Sequence, residues 1–305
     1  MKNSTGVRIA TISLIATIGL LVLKLTLGLI SGSIAVLSDA VDSGTDLAGA
    51  SAALASIRIA AWPADENHPY GHGKVESISA AVAATVIGVG GGFVVFQAVR
   101  RLLIGSPEID VGLGLAAMIT AALINAILAR FMLREARRSG SLALSAEATH
   151  LRTNVVQACA VIVGLALVGI SGERVFDPLM ALGLAAYMGW TAIGLVRTSV
   201  SEIMDEALPD QELSAIHDVL IAHRNEIRGF HRLRSRKAGP TRHVDMHVVV
   251  DPNQTVREVH TISDCMEREI QERLPGTLVT IHMEPDDGRY LQPLDGLVQR
   301  QLPAS

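Results

Sequence analysis

Aromatic side chains and charges are both scarce in this chain of 305 residues. Phe, Trp and Tyr together make up 3% of the sequence and charged residues 18%, whereas apolar types reach 49%. The mean hydropathy is +0.38, which is higher than an ordinary soluble enzyme of this length shows. Composition therefore excludes the commonest class of soluble enzyme and favours a protein that meets a membrane.

Cysteine is nearly absent, and the common motifs of catalysis and nucleotide binding are missing. Cys159 falls in an apolar stretch and Cys265 in the charged C-terminal region, so no disulfide is expected and both are interpreted as small packing residues. The sequence has no phosphate-binding loop ending in Lys-Ser or Lys-Thr, no Cys-x-x-Cys pair and no nucleophile elbow. These absences argue against an enzyme and against ATP hydrolysis within this chain, although a partner ATPase stays compatible with them.

Apolar stretches long enough to cross a bilayer, which takes roughly 20 residues, are present instead. Six are found, at residues 9–30, 34–57, 78–103, 111–133, 153–170 and 178–200. The fifth is short, but it can extend back to Leu142 if four polar residues face the interior of a bundle. Those residues are Glu147, His150, Arg152 and Asn154. The first stretch is too long for a cleavable signal peptide, so we expect it to be a retained span.

The positive charges of the short loops predict an orientation. One side of the membrane collects Lys2, Arg8, Arg58, Lys74, Arg130, Arg134, Arg137 and Arg138, and the other collects Arg100, Arg101 and Arg174. Because Lys and Arg accumulate in cytoplasmic loops, the richer side is assigned to the cytoplasm. Both termini are then cytoplasmic.

The chain changes character near Leu208-Pro209-Asp210, where charge becomes dense. We therefore expect a membrane domain at residues 1–207, a cytoplasmic domain at 208–290 and a loose tail at 291–305. Asp210 should begin a helix that ends near Arg224. The pattern beyond it predicts strands at 229–237 and 241–251, a helix at 256–274 and a strand at 277–284. This order favours a small α+β sandwich.

Two carboxylates lie inside the second apolar stretch. Asp42 and Asp46 are four residues apart and so share one helix face, and charge within a span is by default functional. His150 and Asn154 repeat this spacing at the start of the fifth stretch. Two carboxylates, an imidazole and an amide oxygen could form a tetrahedral cage for a divalent transition metal and neutralise its charge. Loss of the metal would favour proton uptake, as a metal/proton antiporter requires.

Other interpretations of these residues stay open at this point. The aspartates could cap or bridge neighbouring helices, or pair with Lys24, which is otherwise expected to snorkel toward the outer end of the first span. His150 and Asn154 could simply form hydrogen bonds between helices.

Two further groups of potential metal ligands lie outside the apolar stretches. Asp65, His68 and His72 follow at spacings of three and four in a loop bent by Pro and Gly, with solvated histidines as the alternative. Seven of the ten histidines fall between residues 217 and 282. A zinc-type site is predicted there from His231, His247, His260, His282 and Glu284. His217 and His223, six apart on a helix, are interpreted as surface residues.

With these motifs assembled, the chain resembles the cation diffusion facilitator family, most closely its bacterial branch for zinc and ferrous-iron efflux. The likeness covers about residues 8–288. It is carried by Val41-Asp42-Ser43 with Asp46, His68-Pro-Tyr-Gly-His72-Gly-Lys74, His150 with Asn154, Asp205-Glu-Ala-Leu-Pro-Asp210, Gly239-Pro-Thr-Arg242 and Ile281-His282-Met-Glu284.

The resemblance implies a membrane α-helical bundle of six transmembrane helices. A C-terminal α+β, metallochaperone-like (ferredoxin-like) cytoplasmic domain would follow it, and two copies would form a homodimer. The transport site would be Asp42, Asp46, His150 and Asn154, the loop site Asp65, His68 and His72, and the tail site His231, His247, His260, His282 and Glu284. Two positions depart from the zinc-type pattern, which carries an aspartate where this chain has Asn154 and another where it has Glu284.

The implied function is proton-coupled efflux of a divalent metal from the cytoplasm by a multi-pass protein of a bacterial inner membrane. Zinc or ferrous iron leads, and manganese, cobalt and cadmium stay open because Asn154 removes one negative charge from the site. No enzymatic activity and no nucleic-acid partner are expected. The alternative from another class is a membrane metal sensor or scaffold that binds metal without transporting it.

Overall fold

Two compact units make up the chain, residues 1–203 and residues 204–305. A computed structural model describes residues 4–31, 34–104, 112–173 and 175–288. The predicted loose tail at 291–305 lies outside the described residues.

The described part of the first unit consists of six long helices. They are α1 (Ser4–Ser31), α2 (Ile34–Ala60), α3 (Val75–Ile104), α4 (Gly112–Ser139), α5 (Leu142–Ser171) and α6 (Phe176–Ile203). Within the described residues, four segments are long and apolar enough to cross a bilayer: Thr5–Thr26, Val75–Ile104, Leu142–Ser171 and Pro178–Ile203. A helical membrane unit is thus confirmed, whereas the membrane crossing of α2 and α4 stays a prediction.

Helix α5 begins where the sequence predicted that the fifth span could begin. Ser141 is its N-cap, and the Ser141 hydroxyl accepts a hydrogen bond from the backbone N–H of Leu144, which satisfies a donor that the first turn leaves free. Glu147 is buried in the bundle, as expected, but Arg152 is exposed. The expectation that all polar residues of this segment face the interior is therefore wrong for Arg152, whose long side chain can remain outside the bundle.

Close packing of α3 on α6 sets one side of the bundle. A Cβ added to Gly91 would lie 3.2 Å from the Cβ of Met188, so a larger residue there would require the two helices to move apart by a few tenths of an ångström. Helix α5 contacts α2, α3, α4 and α6. It therefore lies at the centre of the bundle, where its polar residues can meet those of α2.

The second unit has the five elements that the sequence predicted, in the predicted order. They are α7 (Asp210–Ala222), β1 (Gly229–Ala238), β2 (Thr241–Val250), α8 (Val256–Arg273) and β3 (Thr277–Pro285). The strands form one sheet in the order β1-β2-β3, with β1 antiparallel and β3 parallel to β2. Thr255 and Glu258 form a capping box that begins α8.

The core of this unit lies between one face of the sheet and the two helices. Val244, Met246 and Val248 of β2 are fully buried with Leu220 of α7 and Met266 of α8. Because successive side chains of a strand point to opposite faces, the odd-numbered residues of β2 lie on the face away from the helices. The metal ligands predicted on the strands lie on that second face.

Candidate metal centres

The bundle brings α2 and α5 together at Asp46 and His150. The Nε2 atom of His150 lies 2.8 Å from Oδ1 of Asp46, and the Nδ2 atom of Asn154 donates to Oδ2 of Asp46 at 3.2 Å. The His150 side chain is 13% exposed and that of Asp46 is 24% exposed. Three of the four residues predicted for the transport site therefore share one small region. Asp42 lies on α2, but its side chain is outside the described residues.

This group opens into a cavity of about 210 Å³ between the helices. Its polar lining consists of Lys24, Asp46, Asn125, His150, Thr153, Asn154 and Gln157. A cavity of this size can hold a hydrated cation or several waters, which need roughly 30 Å³ each. Apart from the exposed Gln157, these polar side chains face a space between the helices, as a path for an ion through a bundle requires.

Lys24 belongs to this interior. Its side chain is buried and its Nζ donates to the hydroxyl of Ser43 at 2.9 Å. The prediction that Lys24 snorkels to the membrane surface is therefore wrong, because a hydroxyl on α2 gives the ammonium a partner inside the bundle. Lys24 lines the cavity, and Glu147 is buried on α5 one turn before His150.

The loop between α2 and α3 brings its three predicted ligands together. Asp65 Oδ1 lies 3.0 Å from Nδ1 of His68, and Asp65 Oδ2 lies 3.3 Å from Nε2 of His72. The backbone N–H of His68 donates to Asp65 and holds the pKa of that carboxyl below its ordinary value. Nδ1 of His72 is buried and has no hydrogen-bond partner among the described residues. A carboxylate and two imidazoles at these distances can hold a divalent cation.

The sheet aligns three histidines in one row. His231 pairs with His247 across the antiparallel strands, and His247 pairs with His282 across the parallel ones. The ring centroids of His231 and His247 are 5.0 Å apart, and those of His247 and His282 are 4.8 Å apart. Strand register alone therefore places three imidazoles side by side on the face that the helices leave open.

Glu284 joins this row through both of its carboxylate oxygens. Oε1 lies 2.6 Å from Nδ1 of His247, and Oε2 lies 3.0 Å from Nε2 of His231. The hydrogen bond from His247 holds the pKa of Glu284 below its ordinary value, so the carboxylate carries its charge at neutral pH. Next to His231, β1 departs from regular pairing, and Arg232 has a positive φ of 53°. This bulge orients His231 toward Glu284.

The two outer ligands predicted for this centre take different positions. The His282 ring is largely exposed, with Nε2 3.5 Å from Oε1 of Glu284, so it borders the cluster. His260 lies on α8 with 75% of its side chain exposed, 3.6 Å from a carboxylate oxygen of Asp264. Since α8 packs on the core face of the sheet, participation of His260 in the cluster stays a prediction.

One group of potential metal ligands in the second unit was not predicted from the sequence. His223 is only 9% exposed, so its interpretation as a surface residue is wrong. Its ring lies between the carboxylates of Glu226 and Glu269, and Cys265 lies beside Glu269. The spacing of four between Cys265 and Glu269 was the available signal for a shared helix face.

Comparison with known proteins covers nearly the whole chain. Residues 10–204 match the family model of the cation efflux transmembrane domain, and residues 208–286 match that of the cation efflux protein cytoplasmic domain. An uncharacterized transporter of Synechocystis, sll1263, is 36% identical over 276 residues, or 90% of this chain and 89% of that protein. The cation-efflux pump FieF of Shigella boydii is 32% identical over 266 residues, or 87% of this chain and 88% of the pump.

Among solved structures, the zinc form of the candidate zinc transporter CzrB is similar to a smaller part of the chain. It is 35% identical and covers 28% of this chain and 99% of its own, with a TM-score of 0.27.

Proposed function

The chain belongs to the cation efflux family of membrane transporters, and from this premise we propose that it exports a divalent transition metal in exchange for protons. Zinc and ferrous iron are the leading substrates. The metal enters from the cytoplasm, binds between α2 and α5, and leaves on the far side. The observation that carries the proposal is the 2.8 Å contact between Asp46 and His150.

That contact requires a proton. An imidazole nitrogen and a carboxylate oxygen at 2.8 Å form a hydrogen bond only if one of them carries hydrogen. A metal ion bound by Nε2 of His150 and by Asp46 takes the place of that hydrogen, because a ligand atom must be deprotonated to coordinate. If the ring is neutral, its hydrogen moves to Nδ1 and none is released. If both ring nitrogens are protonated beside the Asp46 carboxylate, entry of the metal at Nε2 releases one proton, and departure of the metal lets one return.

The amide of Asn154 can form a hydrogen bond with Asp46 when no metal is bound and can coordinate the metal when it is. In this structure its nitrogen donates to Asp46, and rotation of the amide by about 180° presents its oxygen to a cation instead. The oxygen completes a ligand set without adding charge. Asp46 together with Asp42 would then supply the two negative charges that neutralise one divalent ion.

The cytoplasmic domain supports a regulatory role for its histidine row. Three imidazoles and a carboxylate lie on the open face of the sheet, where a second copy of the domain could dock. A homodimer follows from this proposal, with metal at Glu284 favouring the arrangement that transports. The protein would lie in a bacterial inner membrane with both termini in the cytoplasm.

Metal uptake into reconstituted vesicles tests the transport proposal. Vesicles carrying the wild-type protein and an internal metal-sensitive dye are given an imposed pH gradient, with Zn²⁺ or Fe²⁺ outside. We expect metal uptake that follows the gradient and stops when an ionophore removes it. Asp46→Asn should abolish this uptake because the amide cannot exchange a proton for a metal.

Glu173→Gln is the matched control, since it also converts a carboxylate to an amide in the membrane unit but at an exposed position after α5. It should transport like the wild type. If the wild type binds metal stoichiometrically and moves none, the protein is a sensor or scaffold and the proposal fails. Undiminished uptake by Asp46→Asn would also overturn it.

A further inference from the structure

A second group of metal-ligating side chains lies in the helix layer of the cytoplasmic unit, away from the histidine row. It consists of His223 at the end of α7 and of Cys265 and Glu269 on α8. One ligand atom from each lies within 4.8 Å of the other two. The row on the sheet faces the opposite side, because α7 and α8 cover the core face. The two groups are therefore separate.

The distances fit a tetrahedral zinc-type site. His223 Nε2 lies 3.2 Å from Oε1 of Glu269, and Cys265 Sγ lies 3.7 Å from that same oxygen. With metal–ligand bonds of about 2.0–2.3 Å, tetrahedral geometry separates a nitrogen and an oxygen by about 3.3 Å and a sulfur and an oxygen by about 3.6 Å. These two pairs of ligand atoms thus already stand nearly as far apart as ligands of one ion, and His223 and Cys265 have ligand atoms within 4.8 Å of each other.

The imidazole is oriented as a metal ligand requires. Glu226 accepts a hydrogen bond from Nδ1 of His223 at 2.6 Å, which leaves Nε2 directed at Glu269 and Cys265. Ligating histidines commonly donate their other ring N–H to a carboxylate in this way. A neutral imidazole has one N–H, so it cannot donate to the carboxylates on both of its nitrogens. Both carboxylates are satisfied either by a ring protonated on both nitrogens or by a neutral ring with a cation between Nε2 and Glu269.

The end of α7 and the backbone around the site also favour a cation, although the guanidinium of Arg268 donates to Sγ of Cys265 at 3.4 Å and must move aside when a metal binds. His223 is the C-cap of α7, where the carbonyl groups of the last turn give the helix end a partial negative charge. Ile227, buried in the core, holds the turn that carries Glu226. Cys265 and Glu269 are four apart on α8 and present their ligand atoms on one face. Backbone elements on both sides therefore fix the geometry before any ion arrives.

We propose that His223, Cys265 and Glu269 bind one zinc-class cation and that Glu226 is a positioning residue for His223. A thiolate, a carboxylate and a neutral imidazole carry two negative charges, which balance a divalent ion. The thiolate favours zinc and similar borderline-soft metals over magnesium or calcium. Three protein ligands leave a fourth position for water or an incoming ligand, so the ion is exchangeable and ties α7 to α8 when bound.

Cobalt titration of the full-length protein in detergent tests the proposal. Cobalt replaces zinc at such sites, and a cobalt–thiolate bond gives a sulfur-to-metal charge-transfer band in the near ultraviolet. The chain has two cysteines, so Cys159→Ala leaves Cys265 as the only thiol. We expect the band in this variant to saturate at one cobalt per protomer and to disappear on addition of zinc.

Further variants on the Cys159→Ala background separate this site from the others. Glu284→Gln alters the row on the sheet and should leave the band intact. Glu269→Gln, nearly equal in size to the native residue, should abolish the band or lower the affinity for cobalt at least tenfold. Glu226→Gln should keep the band but weaken binding about 10- to 100-fold, as loss of an orienting carboxylate does.

Two results would overturn the proposal. One is absence of the charge-transfer band at saturating cobalt in folded Cys159→Ala protein. The other is a band whose intensity and midpoint in Glu269→Gln and in His223→Gln equal those of the Cys159→Ala parent, since Cys265 would then bind cobalt without its neighbours. Neither result bears on vesicle uptake, which depends on Asp46, so failure here is distinguishable from failure of the transport proposal.

Discussion

Asn154→Asp should add one proton to each exchange cycle. The Nδ2 atom of Asn154 lies 3.2 Å from Oδ2 of Asp46, so the substitution places two carboxylate oxygens at about that separation. With an effective dielectric constant of about 20, two unit charges 3.2 Å apart repel by about 5 kcal/mol. That energy corresponds to a bias on the order of 10³ to 10⁴ against both being charged. The pair must therefore share a proton while no metal is bound.

Metal binding changes this balance because both carboxylates must be ionised to coordinate. The additional proton is then released when the metal enters. Vesicles loaded with a pH dye and a metal dye give the ratio of protons to metal ions, which should rise by about one in Asn154→Asp.

Gln157→Glu is the charge-matched control, since Gln157 lines the same cavity one turn further along α5. It should leave the ratio close to the wild-type value. An unchanged ratio in Asn154→Asp, with transport intact, would show that this position takes no part in proton exchange.

Two further predictions concern the cytoplasmic unit. Replacing His231 and His282 together by Ala should abolish the metal-dependent approach of the two cytoplasmic domains, measured by energy transfer between labelled protomers, and should slow transport. If both survive unchanged, the regulatory role fails. Arg242 donates two hydrogen bonds to Glu212 and holds the pKa of that carboxyl below its ordinary value. The stabilisation from this pair is therefore complete at a pH above the pKa of Glu212 in the unfolded chain, and it is lost as the pH falls through the lower pKa of the folded protein. Glu212→Gln should therefore lower the stability of α7 by about 1 kcal/mol at neutral pH, measured by hydrogen exchange, and a difference from wild type that persists in strong acid would contradict this.

Local sequence signals were sufficient for the cytoplasmic fold. Thr255 with Glu258 begins α8, and Pro275-Gly276 separates α8 from β3, so element boundaries could be located within two residues. His247 lies on the face away from the core, as the alternation of side chains along β2 requires. These features depend on residues that are close in the sequence, so they could be predicted without knowledge of tertiary contacts.

Side-chain positions that depend on tertiary contacts could not be predicted from the sequence. Lys24 was expected at the membrane surface because an isolated lysine in a span snorkels, and only the packing of α1 on α2 brings it to Ser43. His223 was treated as one more residue of a regular helix. It is in fact the C-cap of α7, after which the chain turns and places Glu226 against its ring. Helical periodicity carries no information about such an end.

The family could be predicted from motifs because its ligands recur at short, fixed spacings. His150 and Asn154 are one turn apart on α5, and Asp65, His68 and His72 occupy one loop. The match of both domains to the cation efflux models confirms the family. The identity of the metal does not follow from these spacings, because histidine, aspartate and an amide oxygen suit several divalent ions.

The position of the bound metal shows whether Asp46 and His150 hold the transported ion. Anomalous diffraction from crystals of the full-length protein loaded with Zn²⁺ or Fe²⁺ would locate the ion in the membrane unit. We predict a peak about 2.1 Å from Nε2 of His150 and from an oxygen of Asp46, in place of their 2.8 Å hydrogen bond. A metal-loaded, transport-competent protein in which that hydrogen bond persists and the ion lies elsewhere in the bundle would contradict the account.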